Sequence, residues 1–162
     1  MTTIHRTMHR GICRVMAAAA LLAGPAVAAP NGPVPVDLRG TWVVATAGCN
    51  AALRLQVGAD RITFEHGGDR ESLGGVEMAG PGYFPAGYGG IMAVLITEFD
   101  GHQPVTVVFN ADEKKGVARA EFAPPMPGKA TPMLKAYNAR ISALRLVTRF
   151  PLDKVALKKC PA

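Results

Sequence analysis

The residues that could do chemistry in this chain are few, and they gather in turns. "HGGDRE" brings His66, Asp69 and Glu71 together, and "DGH" brings Asp100 and His102 together. A zinc site needs three or four converging ligands, usually built on an H-x3-H or C-x2-C core. Neither spacing occurs. Two histidines and a carboxylate could converge only if both turns lay at one end of the fold, whereas two solvated turns need no such coincidence. A nucleophilic triad would have to take its base from the same two histidines. Ser72 and Ser142 are the only serines, and neither stands in a G-x-S-x-G elbow. Glu65, Glu71, Glu77 and Glu98 could be paired as acid and base, but each reads as an outward strand position, where charges belong. "GPG" and "GYGG" open no helix, so they make no phosphate cradle. These residues predict no catalytic site, no metal and no cofactor.

Recognition is the other chemistry available. "AGPGYFPAGYGG", Ala79 to Gly90, carries Tyr83, Phe84 and Tyr88 in a setting of glycine, proline and alanine. Such a segment suits neither helix nor strand. As a contact surface, its aromatics offer area at low side-chain entropy cost, and its glycines let the backbone follow a partner. As a plug, Phe84 would tuck into the end of a barrel beneath the tyrosines, because clustered exposed aromatics invite aggregation. The sequence leaves both open, with Tyr83, Phe84 and Tyr88 as the candidate ligand- or partner-binding residues.

The elements that must carry this loop are short strands. "GTWVVAT" alternates, with Trp42, Val44 and Thr46 on one face. "ALRLQV" and "RITFEH" place Leu53, Leu55, Val57, Ile62 and Phe64 on one side and Arg54, Gln56, Thr63 and Glu65 on the other. The Gly/Asp turn between them makes a hairpin. "GGDRE" reads as a turn, and "SLGGVEM" as a weak strand with a bulge or close backbone approach at Gly74 and Gly75. "IMAVLITEF" is apolar enough to be covered on both faces. "VTVVFN" and "VARAEF" follow, separated by the charged loop "ADEKKG". After "APPMPGKA" the period changes. Thr131 can cap a helix with Pro132 at its first position, and Leu134, Tyr137, Ile141 and Leu144 share one helical face. "RFP" ends the helix, and "DKVALKKC" returns to strand. The expected fold is mainly β: an antiparallel up-and-down barrel, or barrel-like meander, of about eight strands with one C-terminal helix.

Residues 1–29 read as an export signal. Arg6, Arg10 and Arg14 stand before the apolar run "VMAAAALLA", and "AVAA" supplies an A-x-A cleavage site. The run is too short to span a bilayer. Cys13 precedes it, which rules out the acylated cysteine of a lipoprotein. The expected location is the periplasm or the exterior, with no integral membrane segment after cleavage. Residues 30–38, "PNGPVPVDL", read as an extended, surface-lying arm, and residues 39–162 as one barrel domain.

Beyond residue 29 the chain holds 15 basic and 12 acidic side chains, a net charge of +3. That is ordinary for a soluble domain. The aromatics are not interleaved with basic clusters, so nucleic acid is not an expected partner. Cys49 and Cys160 are the only cysteines left, and an exported chain with two cysteines most simply joins them. In an up-and-down barrel the last strand lies beside the first, so closure and a Cys49–Cys160 bridge support each other.

"Leu38-Arg39-Gly40-Thr41-Trp42" resembles the Gly-x-Trp opening of lipocalins and related calycin barrels, whose tryptophan closes one barrel end. The late helix, the short strand after it and a disulfide reaching the C-terminus are also lipocalin-like. The second and third lipocalin motifs are absent. With Cys49 and "Leu53-Arg54-Leu55" added, the pattern is similar to exported bacterial metalloprotease inhibitors, although their disulfide is local. A tryptophan plugs a barrel end well in any such fold, so Trp42 is assigned to that end on packing grounds too.

The functional expectation is an exported, non-catalytic binding protein whose partner is a small apolar ligand or a periplasmic protein, met through the 79–90 loop. The alternative is an inhibitor or accessory subunit of a periplasmic enzyme. A carrier requires an enclosed apolar cavity; an inhibitor or subunit requires a filled core and exposed apolar surface.

Overall fold

The computed structural model describes residues 33–79, 91–98, 103–129 and 131–161. Nine strands form one antiparallel sheet: β1 (Gly40–Val44), β2 (Arg54–Val57), β3 (Ile62–His66), β4 (Asp69–Leu73), β5 (Glu77–Met78), β6 (Ala93–Ile96), β7 (Val105–Phe109), β8 (Val117–Phe122) and β9 (Ala156–Lys159). Their order is β4-β3-β2-β1-β9-β8-β7-β6-β5. This is an up-and-down meander cut open between β4 and β5. Laid flat, nine strands spaced at ~4.8 Å would hold those two edges roughly 38 Å apart. Only Gly74, Gly75 and Val76 join them, and that link reaches at most about 15 Å. The sheet must therefore curl, and it forms a half-barrel.

The extra strand comes from the turn before it. Gly67 and Gly68 both have positive φ, 56° and 99°, as a two-residue hairpin turn requires. The turn is thus shorter than "GGDRE". Asp69, Arg70 and Glu71 pair with His66, Glu65 and Phe64 as the start of β4. The "SLGGVEM" run breaks at its glycines. Gly75 has φ 58°, and a Cβ there would stand 3.0 Å from the Cβ of Glu98.

The two halves of the sheet meet at β1 and β9, where Trp42, Val43 and Val44 pair with Lys159, Lys158 and Leu157. The Cys49–Cys160 disulfide reinforces this junction, with Cα atoms 5.7 Å apart. Cys160 also donates its N–H to the Thr41 carbonyl at 2.8 Å. Ordinary alternation then selects the buried face. Trp42, Leu55 and Phe64 stand in register on one half, and Met78, Leu95, Val107 and Ala120 on the other. All seven belong to one core cluster.

Each end of the half-barrel is covered by chain. Where β1 begins and β7 ends, a 3-10 turn (Val36–Leu38) buries Leu38, and Val34 is fully buried beside it. Val34 N–H donates to Ala59 O at 2.9 Å. Within 33–38, Val34 and Leu38 turn into the core while Pro33, Val36 and Asp37 stay exposed. At the opposite end lie α1 (Pro132–Leu144) and α2 (Leu146–Arg149). Thr131 Oγ1 accepts from Leu134 N–H at 3.2 Å, the expected cap. Tyr137 and Leu144 are buried, while Leu134 and Ile141 are half-buried. The helix does not end at "RFP" in one piece: Arg145, in the left-handed region at φ 47°, kinks it one turn earlier. Among the described residues, no helix is long and apolar enough to cross a membrane.

Candidate functional site

Tyr83, Phe84 and Tyr88 lie outside the described residues, as do Asp100, His102 and residues 1–32. Trp42 is described, and it is buried. Its Nε1–H donates to the Leu38 carbonyl at 3.0 Å, and its ring centroid lies 5.2 Å from that of Phe109.

His66, Asp69 and Glu71 do come together, around a residue that sequence reading missed. Arg149, at the end of α2, places Nη1 2.7 Å from Glu71 Oε2 and Nε 3.7 Å from Asp69 Oδ2. It also donates to the Arg70 carbonyl at 3.1 Å, and its own carbonyl oxygen lies 2.9 Å from His66 Nδ1. Glu71 is therefore not an outward position. Register with Phe64 puts it on the inner face of β4, where the guanidinium neutralises it. The group works as a clasp between α2 and the β3–β4 hairpin. Nearby, Arg54 and Arg70 both lean on Glu65, so the open polar cleft of about 350 Å³ along this hairpin has its charges answered internally. No set of three or more His, Cys, Asp or Glu among the described residues is arranged to hold a metal ion.

The interior is occupied by the protein's own side chains. Beyond the Trp42–Phe109 contact, the Phe64 ring lies 5.3 Å from Phe122 and 5.6 Å from Phe150. Leu55, Leu95, Val107 and Leu157 are fully buried in the same core cluster.

Apolar surface reappears outside, where the chain leaves β8. An open groove of about 280 Å³ runs between the strap after Phe122 and the α1–α2 kink; Pro124, Pro125, Ile141, Leu146 and Val147 supply its apolar lining. Both walls are held in place. Asn138 on α1 accepts from Met126 N–H at 2.8 Å and donates to Met126 O at 3.0 Å, tying the strap to the helix. Asp153 accepts from Phe122 N–H at 2.8 Å, and Ala123 N–H donates to Pro104 O at 2.9 Å. Val147 remains 58% exposed.

Comparison with protein-family models, curated proteins and solved structures finds no match. None of these comparisons bears on the resemblance to lipocalins and inhibitor barrels.

The segment that carries the groove's walls has a one-sided charge that was present in the sequence. Between Glu121 and Asp153 the chain carries Lys129, Lys135, Arg140, Arg145 and Arg149 and no carboxylate. That segment holds +5, while the rest of the chain beyond residue 29 holds 10 basic and 12 acidic side chains, or −2. A one-sign run across a strap and helix was the available pointer. Of that run only Arg145 lines the groove, which the Asp153 carboxylate lines as well, and Arg149 is taken up by Glu71 and Asp69.

Proposed function

We propose that this chain is an exported, non-catalytic binding protein that engages a protein partner at its surface. The observation that carries this reading is the filled interior: Trp42, Phe64, Phe109 and Phe150 occupy the space where a carrier would hold its ligand. Ligand sites are concave, and specific protein contacts instead need exposed apolar surface. The groove beside α1 and α2 supplies such surface. A role as inhibitor or accessory subunit of a periplasmic enzyme is one form of this reading, and a filled core supports it over a carrier of small apolar ligands. The 79–90 loop, through Tyr83, Phe84 and Tyr88, is proposed as a second contact element on its composition.

The test is an affinity pull-down of the mature protein from its own periplasm, with mass spectrometry of proteins and small molecules. A stoichiometric protein is the expected result. A copurifying lipid or pigment without a protein would overturn it. Replacing Tyr83, Phe84 and Tyr88 by alanine should weaken capture at unchanged melting temperature; a lower melting temperature with capture intact would make the loop a plug.

A further inference from the structure

We propose that the Cys49–Cys160 disulfide is a redox-switchable tether, opened at Cys49 by a dithiol while the protein stays folded, and that its cleavage frees the β1–β2 turn that walls the polar cleft. The inference goes beyond partner binding and does not depend on it.

The two ends of the bridge are held differently. Cys160 is 8% exposed and directly follows β9, with its N–H given to the Thr41 carbonyl. Cys49 is exposed, in the turn between β1 and β2. Thiol exchange proceeds by attack of a thiolate on one disulfide sulfur, and its rate depends on which sulfur can be reached. Access here favours Cys49. Exposed bridges are also the class that supplies labile and regulatory disulfides.

The turn has little else to hold it. From Thr46 to Ala52 its hydrogen bonds are local: Ala47 N–H donates to Val44 O at 2.8 Å, and Ala51 N–H to Gly48 O at 3.0 Å. Among the described residues, no hydrogen bond or ion pair joins this stretch to a distant element. The sulfur bridge is its tether. The seam beneath is different. β1 and β9 pair from Trp42 to Val44, and Ala45 N–H to Ala156 O at 2.9 Å and Cys160 N–H to Thr41 O at 2.8 Å extend the ladder. Breaking the bridge therefore releases the turn and leaves the seam paired. Asn50, Ala51 and Ala52, directly after Cys49, line the polar cleft of about 350 Å³ together with Glu65 and His66. A covalent change at Cys49 thus loosens one wall of that cleft.

The exchange balances as follows. One sulfur of the dithiol, as thiolate, bonds to Cys49 Sγ while the bond to Cys160 breaks, and Cys160 leaves as a thiolate and takes up a proton. The second sulfur of the dithiol then displaces Cys49. The dithiol ends as a disulfide, oxidised by two electrons, and its two protons end on Cys49 and Cys160.

Dithiothreitol added to the oxidised, folded protein tests this, with samples alkylated over time and weighed by mass spectrometry. Reduction should be first order in dithiothreitol and indifferent to urea below the unfolding transition. A rate that climbs with urea in step with unfolding, or levels off at high dithiothreitol, would restrict attack to the unfolded chain and overturn the proposal. In the reduced protein, hydrogen exchange at the Ala47 and Ala51 amides should quicken on the order of tenfold, while the Val43 and Lys158 amides stay protected. Lost protection at Val43 and Lys158, or unchanged exchange at Ala47 and Ala51, contradicts a tether on the turn. Finally, the thiol of Cys49 in Cys160→Ala should react with 5,5′-dithiobis(2-nitrobenzoate) on the order of tenfold faster than that of Cys160 in Cys49→Ala. Equal rates, or a faster Cys160, would remove Cys49 as the point of attack.

Discussion

Arg149 and Glu71, 78 residues apart in the chain, meet at one end of the half-barrel with Nη1 2.7 Å from Oε2. The contact joins the last helical turn to an edge strand, two elements that share no backbone pairing. Arg149 also lies over the Phe150 ring, its guanidinium carbon 4.9 Å from the centroid. It therefore seats Phe150 while facing both carboxylates on that side of β4, Asp69 and Glu71.

Replacing Arg149 by methionine keeps the apolar stem but removes the charge and the hydrogen bonds to Glu71 and the Arg70 carbonyl. Both side chains of the pair are about a quarter exposed, so solvent screens part of the interaction. The expected loss is roughly 1–2 kcal/mol. Thermal denaturation should show a fall of several degrees, smaller for Glu71→Gln. An unchanged melting temperature would make the clasp energetically idle.

The Cys49–Cys160 bridge closes a loop with a sequence separation of 111. It spans the β1–β9 junction, the contact that must recruit the chain's two ends and so carries the largest closure entropy. Replacing both cysteines by serine should cost up to about 4–5 kcal/mol, read as a lower urea midpoint. Refolding should slow more than unfolding accelerates if β1 and β9 are paired in the transition state.

Trp42 is the only tryptophan and is 1% exposed, so its emission reports on the core. Native protein should emit at short wavelength and shift red on unfolding. Trp42→Phe leaves the Leu38 carbonyl without its donor and opens space against Phe109. A cost of about 2–4 kcal/mol is expected, measurable by denaturant titration with far-ultraviolet circular dichroism.

Gly75 and Arg145 make an opposed pair of tests, because both are left-handed, at φ 58° and φ 47°. Gly75→Ala would force a Cβ against Glu98 in a strained backbone, for roughly 1–3 kcal/mol of destabilisation. Arg145→Gly relieves strain and should be neutral or stabilising by up to about 1 kcal/mol. Equal effects on melting temperature would contradict the backbone assignment.

The strands from Gly40 to His66 and from Val105 to Phe122 were legible because their neighbours in sequence are their neighbours in the sheet. Period-2 alternation then states both the strand and its buried face. The cap at Thr131 and the helix after it were legible for the same local reason. Cys49 and Cys160 could be paired by counting alone, and their union agrees with β1 lying beside β9. The location of the curled sheet's opening was not legible. It depends on Gly67 and Gly68 tightening one turn and Gly75 passing close to Glu98, a contact between distant parts of the chain. Nor could the sequence place Glu71 inside. An edge strand more polar than its neighbours obeys the same alternation, but the partner that makes an inward carboxylate tolerable lies at Arg149. The filled interior and the groove belong to the same class of fact. Trp42, Phe109, Phe64 and Phe150 were each readable as apolar, yet whether they leave room for a ligand depends on how far the sheet curls. The run of cations from Lys129 to Arg149 was visible as composition. That only Arg145 of them lines the groove, with Asp153, was decided by Asn138 holding the strap and by the turn at Arg145, contacts that packing sets and sequence spacing does not encode.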